Sequence, residues 1–249
     1  MTQGRQSESD ALREPAGGRV EPKGTQASLT LWPWVELGRR HGLPIAELAD
    51  RAGVRVADLR DPGMRFTQPA ANRIAQLVCE SAGQDAGIKA AEMVEAGHFA
   101  LIELLARTAP NVGRALAQGA RFFSLLHSEV RCLHRVEPDG SHLLRSVIPP
   151  GLFTHHGFAE LTMAVWTTGL RRETEQPSLE PLQVCFRHPA PQEDLSTYAR
   201  VLGPRVKFGM PEDRLHFSAA VASLPLTRKN PIVHAAALKA ASDFLRTLR

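Results

Sequence analysis

The 249-residue chain has no run of about 18 apolar residues, so its sequence offers no helix able to cross a bilayer. Cysteine is scarce. Cys79, Cys132 and Cys185 are odd in number, far apart and free of any C-x-x-C pair. That excludes a zinc ribbon and a disulfide framework, and leaves three reduced thiols among apolar neighbours, where a thiol acts as a small hydrophobe. Catalytic signatures are missing as well: there is no G-x-S-x-G, no phosphate-binding Walker loop, no G-x-G-x-x-G and no H-E-x-x-H. The acidic residues are scattered without a pair suited to acid–base work, so neither catalysis nor a cofactor is expected. Basic clusters are absent too. The formal charge of +4 is spread over Arg39 and Arg40, Arg171 and Arg172, Arg246 and Arg249. A nucleic-acid surface gathers such residues on one face, so these read as solvated surface charge.

What is present is ordinary for a globular protein: 43% hydrophobic and 22% charged residues, in a chain long enough to bury a real core. Residues 1–28 are polar, rich in glycine and proline, and lack the apolar segment of a secretory leader; they read as a disordered tail in a cytoplasmic protein. Helical signals follow. Trp32 to His41 ends at Gly42, Pro44 opens Ile45 to Arg51, and Asp61-Pro62-Gly63 makes a turn. Thr67 is an N-cap with Pro69 in the first turn, Asp85 to Glu95 and Phe99 to Arg107 continue the pattern, and Asn111 caps a further helix.

Near His127 the period falls to two. Val130 to Val136 and His142 to Ile148, joined by Pro138-Asp139-Gly140, predict a β-hairpin. Phe158 to Leu170 is apolar on nearly every side, which predicts a helix buried mid-domain. Leu182 to Arg187 reads as a strand, Gln192 to Leu202 as a helix, and Val206 to Phe208 and Leu215 to Phe217 as short strands. A last helix runs from Pro231 to the end. Helices first, then a mainly antiparallel sheet with packed helices, is an α+β fold. Residues 29–230 form one regulatory domain in this reading, and 231–249 a C-terminal linker helix.

Two patterns invite sharper readings. Ile45 to Val54 resembles the opening of a helix-turn-helix, but the next helix, Arg55 to Arg60, spans barely more than one turn before Asp61-Pro62-Gly63. A recognition helix needs more length to fill a major groove, so a structural helical hairpin is expected; Arg55, Arg60 and Arg65 would be the residues to examine for DNA. His127, His134, His142, His155 and His156 crowd one stretch, with Cys132 and His134 on one strand face and His156 and Glu160 one helical turn apart. Metal ligation needs three or four convergent ligands, and nothing in the sequence brings these pairs together, so no metal site is assigned.

A family resemblance emerges from ordered short strings. These are Gly42-Leu43-Pro44, Ala52-Gly53-Val54, Leu59-Arg60-Asp61-Pro62, Ala82-Gly83-Gln84-Asp85 with Gly87-Ile88, and Gly97-His98-Phe99. Arg107-Thr108-Ala109-Pro110 through Leu116 follows, then Val184-Cys185-Phe186-Arg187-His188-Pro189, Tyr198 to Gly209, Leu215-His216-Phe217, Leu224-Pro225-Leu226 and Asn230-Pro231. Together they resemble the arabinose-binding-like N-terminal domain of AraC/XylS-type transcription regulators. Leu202-Gly203-Pro204 departs from the pattern, lacking an aromatic before the glycine. The resemblance implies a homodimeric, effector-sensing domain whose last helix carries the signal onward. DNA would be bound only through a double helix-turn-helix, which this chain does not include, and no membrane is involved. A truncated dimerisation module acting on full-length relatives is the alternative, and direct DNA binding through residues 44–60 a further one.

The implied partner is a small-molecule effector, held in an apolar concavity with a few polar groups. The helix around Trp166, packed on the sheet, is the expected wall. His155, His156, Trp166, Arg187, Tyr198 and His216 are the candidate contacts, with Arg187 favouring a carboxylate.

Overall fold

The computed structural model describes residues 24–192 and 194–247. Strand β1 (Thr25–Ala27) pairs antiparallel with β2 (Arg65–Thr67), so residues 25–27, expected within the tail, form a strand; the rest of that expectation, residues 1–23, lies outside the described part. Between these strands run α1 (Trp32–Arg40), α2 (Ile45–Ala52) and α3 (Val56–Arg60). Gly53 ends α2 at φ +68°, a left-handed conformation that glycine adopts without steric cost. Then come α4 (Gln68–Ala82), α5 (Ala86–Ala91), α6 (Ala100–Arg107) and α7 (Val112–Arg121). The caps fall where the sequence puts them: Thr67 Oγ1 accepts from the Ala70 N–H at 3.5 Å, and Asn111 Oδ1 from the Arg114 N–H at 2.9 Å. The helix expected over 85–95 is shorter, because turns take over after Ala91.

The second half supplies β3 (Arg131–Val136), β4 (His142–Val147), α8 (Gly157–Thr174), β5 (Gln183–Cys185), α9 (Ser196–Leu202), β6 (Val206–Lys207), β7 (Arg214–Phe217), α10 (Ala219–Ser223) and α11 (Pro231–Thr247). The order in the sheet is β3-β4-β7-β5-β6. Every pair is antiparallel except β5–β6. The hairpin forms as expected, with Leu133 opposite Arg145 and Val136 opposite His142. The fold is thus α+β. The two short strands β6 and β7 flank β5 rather than each other.

Packing follows from small residues at close crossings. α7 lies on β3 and β4, and a β-carbon on its Gly113 would fall 2.5 Å from the His142 ring. α5 crosses α8 where Gly87 meets Gly157: an added β-carbon at Gly87 would sit 2.4 Å from the Gly157 carbonyl. One core joins both halves, with Trp34, Tyr198, Phe186 and Phe217 fully buried within it. Each such side chain contributes on the order of 2–3 kcal/mol. A second, smaller cluster holds Leu105, Phe122 and Leu125 against Ala237 and Ala241, docking α11 on α6. Asn230 fixes the start of α11. Its N–H donates to the Thr108 carbonyl at 3.0 Å, while its side chain accepts from the Ile232 and Val233 N–H groups at 3.1 Å.

Two arginine readings change. Arg171 donates to the Leu179 and Val201 carbonyls at 2.8 Å, and Arg172 reaches Glu103 at 3.0 Å, so this pair staples segments together rather than decorating the surface. Arg39 and Arg40 stay exposed beside Glu36, and Arg249 lies outside the described residues.

Candidate functional site

A cavity of about 120 Å³ opens between α6, α7 and α8. Its body is apolar: Ile102 and Ala106 from α6, Ala115 and Gly119 from α7, and Phe158, Leu161, Val165 and Trp166 from α8. A volume near that of the dry engineered cavities that take up benzene suits a small aromatic or branched guest. Trp166 defines the wall. Its indole rests so close to α7 that a β-carbon on Gly119 would fall 2.1 Å from the ring.

One end of the cavity is polar and sits between α6 and α8. Glu103 and Arg107 come from α6, and Arg172 and Glu173 from α8. Arg172 Nη2 meets Glu103 at 3.0 Å and its Nε meets Glu173 at 3.3 Å, while Arg107 lies 3.7 Å and Arg228 4.0 Å from the buried Glu173 carboxylate. Within the lining two guanidinium groups face two carboxylates; the third, Arg228, is exposed and stands outside the lining. Glu103 also accepts from the Gly97 N–H at 2.7 Å, fixing the glycine turn that leads into α6.

His127 joins Thr30, Thr162 and Thr168 as the uncharged polar groups of the wall. Burial, assisted by the Arg65 charge, pulls its pKa down to about 3, so the ring is neutral. It stacks on Phe123 at 5.0 Å between centroids, and its Nδ1 is buried without a protein partner. An uncompensated buried nitrogen carries a desolvation cost that a hydrogen-bonding guest would offset.

Of the six residues expected to contact an effector, the structure places Trp166 on this cavity and the other five elsewhere. His155 and His156 line a surface depression with Asn72 and Phe153. Tyr198 is buried, donating to Glu160 at 2.5 Å. Arg187 is exposed, with its backbone N–H on Asp213. His216 bonds Ser141 at 2.7 Å beside the hairpin. The expected wall also faces another way: α7, rather than α8, lies on the hairpin, so no strand residue lines the cavity. An all-apolar helix shows that it is surrounded, and says nothing about which neighbour surrounds which side. The polar end was invisible for a similar reason. Glu103 and Arg107 look like a helical surface pair, and the bond between α6 and α8 joins residues 69 apart.

The other sequence suggestions also resolve. Arg55 closes on Asp58 at 2.6 Å, and Arg65 points inward, donating to Thr25 Oγ1 at 3.0 Å and the Leu125 carbonyl at 2.7 Å. The α2–α3 hairpin is a packing unit against α4. His134 and His142 bond each other at 2.9 Å, and burial raises Cys132 to about 12, an inert thiol. His156 instead meets His188, 4.7 Å between rings, beside Glu160. Burial pushes Glu160 up to about 8, against the opposing pull of the Tyr198 hydroxyl.

A helical front half and a five-stranded, mostly antiparallel sheet thus frame one helix-walled apolar cavity. The model of the arabinose-binding domain of AraC transcription regulators, N-terminal part, matches residues 42–226, and the chain belongs to that family. The fold is similar to that of the transcriptional regulator CdpR from Pseudomonas aeruginosa: TM-score 0.57 at 13% identity, over 85% of this chain and 64% of that one. The chain thus spans less than two thirds of the length of that regulator. No curated protein matches it in sequence. Among the described residues, no helix is long and apolar enough to cross a membrane.

Proposed function

We propose that this domain senses a small aromatic or branched aliphatic carboxylate in the α6–α7–α8 cavity and passes its occupancy to α11. The observation that carries the reading is the double duty of α6. Ile102 and Ala106 line the cavity, while Leu101, Leu105 and Ile102 itself pack on the cluster that holds Ala237 and Ala241 of α11. A guest that prefers one spacing of α6 and α8 would shift the seat of α11 by its differential affinity, the only currency in which ligand binding moves a conformational equilibrium. The carboxylate preference is assigned to Arg107 and Arg172 in place of Arg187, because these two guanidinium groups line the cavity and Arg187 does not. In a cytoplasmic regulator the signal would then reach a helix-turn-helix module acting on DNA, most simply across a homodimer.

Thermal-shift and calorimetric screening of aromatic and branched aliphatic acids tests this. A binder should raise Tm in a concentration-dependent way. It should lose at least ten-fold in affinity in Trp166→Ala and Arg107→Ala; a binder indifferent to both replacements would sink the assignment.

A second reading, a dimerisation module acting on full-length relatives, is favoured by the exposed Ile232 and Phe244 on α11 and by Leu133 and Val136 on the edge strand β3. Light scattering of the isolated chain decides it: a monomer at all concentrations leaves it without support.

A further inference from the structure

The start of α8 and the segment after β5 bring three ligand-type side chains together. We propose that His156, Glu160 and His188 bind one divalent d-block cation, zinc above all. Their donor atoms all lie within 4.8 Å of one another. His156 and Glu160 are one turn apart along α8, the local spacing that puts two ligands on one helix face. His188 is delivered from the segment beyond β5, where its own neighbour orients it.

Four observations support a cation here. His188 Nδ1 lies 2.9 Å from the Pro189 carbonyl. A carbonyl can only accept, so Nδ1 carries the hydrogen and Nε2 presents a lone pair, the second-shell arrangement usual for metal-bound histidine. That Nε2 stands 3.2 Å from Glu160 Oε1 but makes no hydrogen bond to it. Two donors side by side at this distance match the edge of a tetrahedral site, about 3.3 Å for bonds of about 2.0 Å.

Glu160 is also fully buried, and among the described residues no lysine or arginine pairs with it; its charged surroundings include Asp85 and Asp213, of its own sign. A buried carboxylate placed so needs a counter-charge, and a cation between it and two imidazoles supplies one. Tyr198 holds the carboxylate in place through its hydroxyl, 2.5 Å from the same Oε1, which leaves Oε2 without a partner. His156 is exposed, so three protein ligands leave a fourth position open to water or to an external donor. The ion would tie the first turn of α8, the helix that walls the effector cavity, to the turn leaving the sheet.

The test uses the whole chain, stripped with EDTA, dialysed and titrated with zinc against a chromophoric chelator, with cobalt(II) substitution read by visible absorption. One equivalent should bind, and cobalt should show the intense bands of a four-coordinate site containing nitrogen ligands. His156→Gln, at an exposed position that folding tolerates, and His188→Gln should each weaken zinc binding at least ten-fold. His134→Ala, which alters the separate pair on the hairpin, should leave it unchanged. Absence of saturable binding by the folded chain, or binding retained in both glutamine variants, overturns the site. Neither result bears on the effector cavity, whose lining includes none of the three residues.

Discussion

The Trp166 indole occupies the space that a side chain on Gly119 would need, with the ring 2.1 Å from an ideal β-carbon there. One glycine on α7 therefore sets where the tryptophan of α8 stands, and with it the width of the cavity. Gly119→Ala should drive the indole inward, cost about 1–3 kcal/mol by overpacking, and abolish effector binding while the fold persists. Urea unfolding together with calorimetry checks both halves. Unaltered binding in a folded Gly119→Ala variant would show that the cavity is not set by this contact.

The clasp between α6 and α8 is a further target. Glu173 is buried and answers three arginines. Glu173→Ala should lower stability by about 2 kcal/mol, less than the 3–5 typical of a wholly buried pair because Arg172 and Arg228 reach solvent. A double-mutant cycle with Arg107→Ala should return a coupling on the order of 1 kcal/mol, and strict additivity would contradict the pairing.

His127 gives the domain an acid-side weakness. Its native pKa is lowered from 6.5 to about 3, so the folded ring stays neutral while the unfolded chain takes up a proton. The associated stability is complete above pH 6.5 and is lost as pH falls from 6.5 toward 3, at up to about 1.4 kcal/mol per pH unit. His155, half-buried, and His156 also have lowered pKa values and steepen the same limb. Replacing His127 with Gln should flatten the dependence by one proton. Chemical denaturation from pH 7 to pH 4 measures the slope; equal slopes in the two proteins would refute the assignment.

Ala241 is fully buried where α11 meets α6. Ala241→Asp would force a carboxylate into that apolar seam and should release α11 without unfolding the main core. Hydrogen exchange should then rise across 231–247 and stay slow in α4 and α7, whereas a global rise would mean that α11 is integral to the main fold.

Much of this architecture is legible in the sequence because local rules govern it. Thr67 and Asn111 cap helices through their own hydrogen bonds, and Pro138-Asp139-Gly140 turns the hairpin. The partners of those elements are another matter. That α7 and not α8 covers the hairpin depends on glycines whose significance appears only when the opposing ring is in view. The site follows the same division. Trp166 is marked by a helix apolar on nearly every side, whereas Arg172, next to the outwardly similar Arg171, gains its role from Glu103, which lies 69 residues earlier in the chain. His188 went unnoticed as a possible ligand because its companions lie one helix away.

The two-sided character of α6 has a consequence for how such sensors diversify. In the proposed scheme recognition would draw on positions 102 and 106 and output on positions 101, 102 and 105, so the two sets interleave along a single pair of turns and meet at Ile102, which lines the cavity and also packs on the seam with α11. Chemical taste could then be retuned at position 106 with the mechanical connection inherited unchanged, whereas an exchange at position 102 would alter both at once.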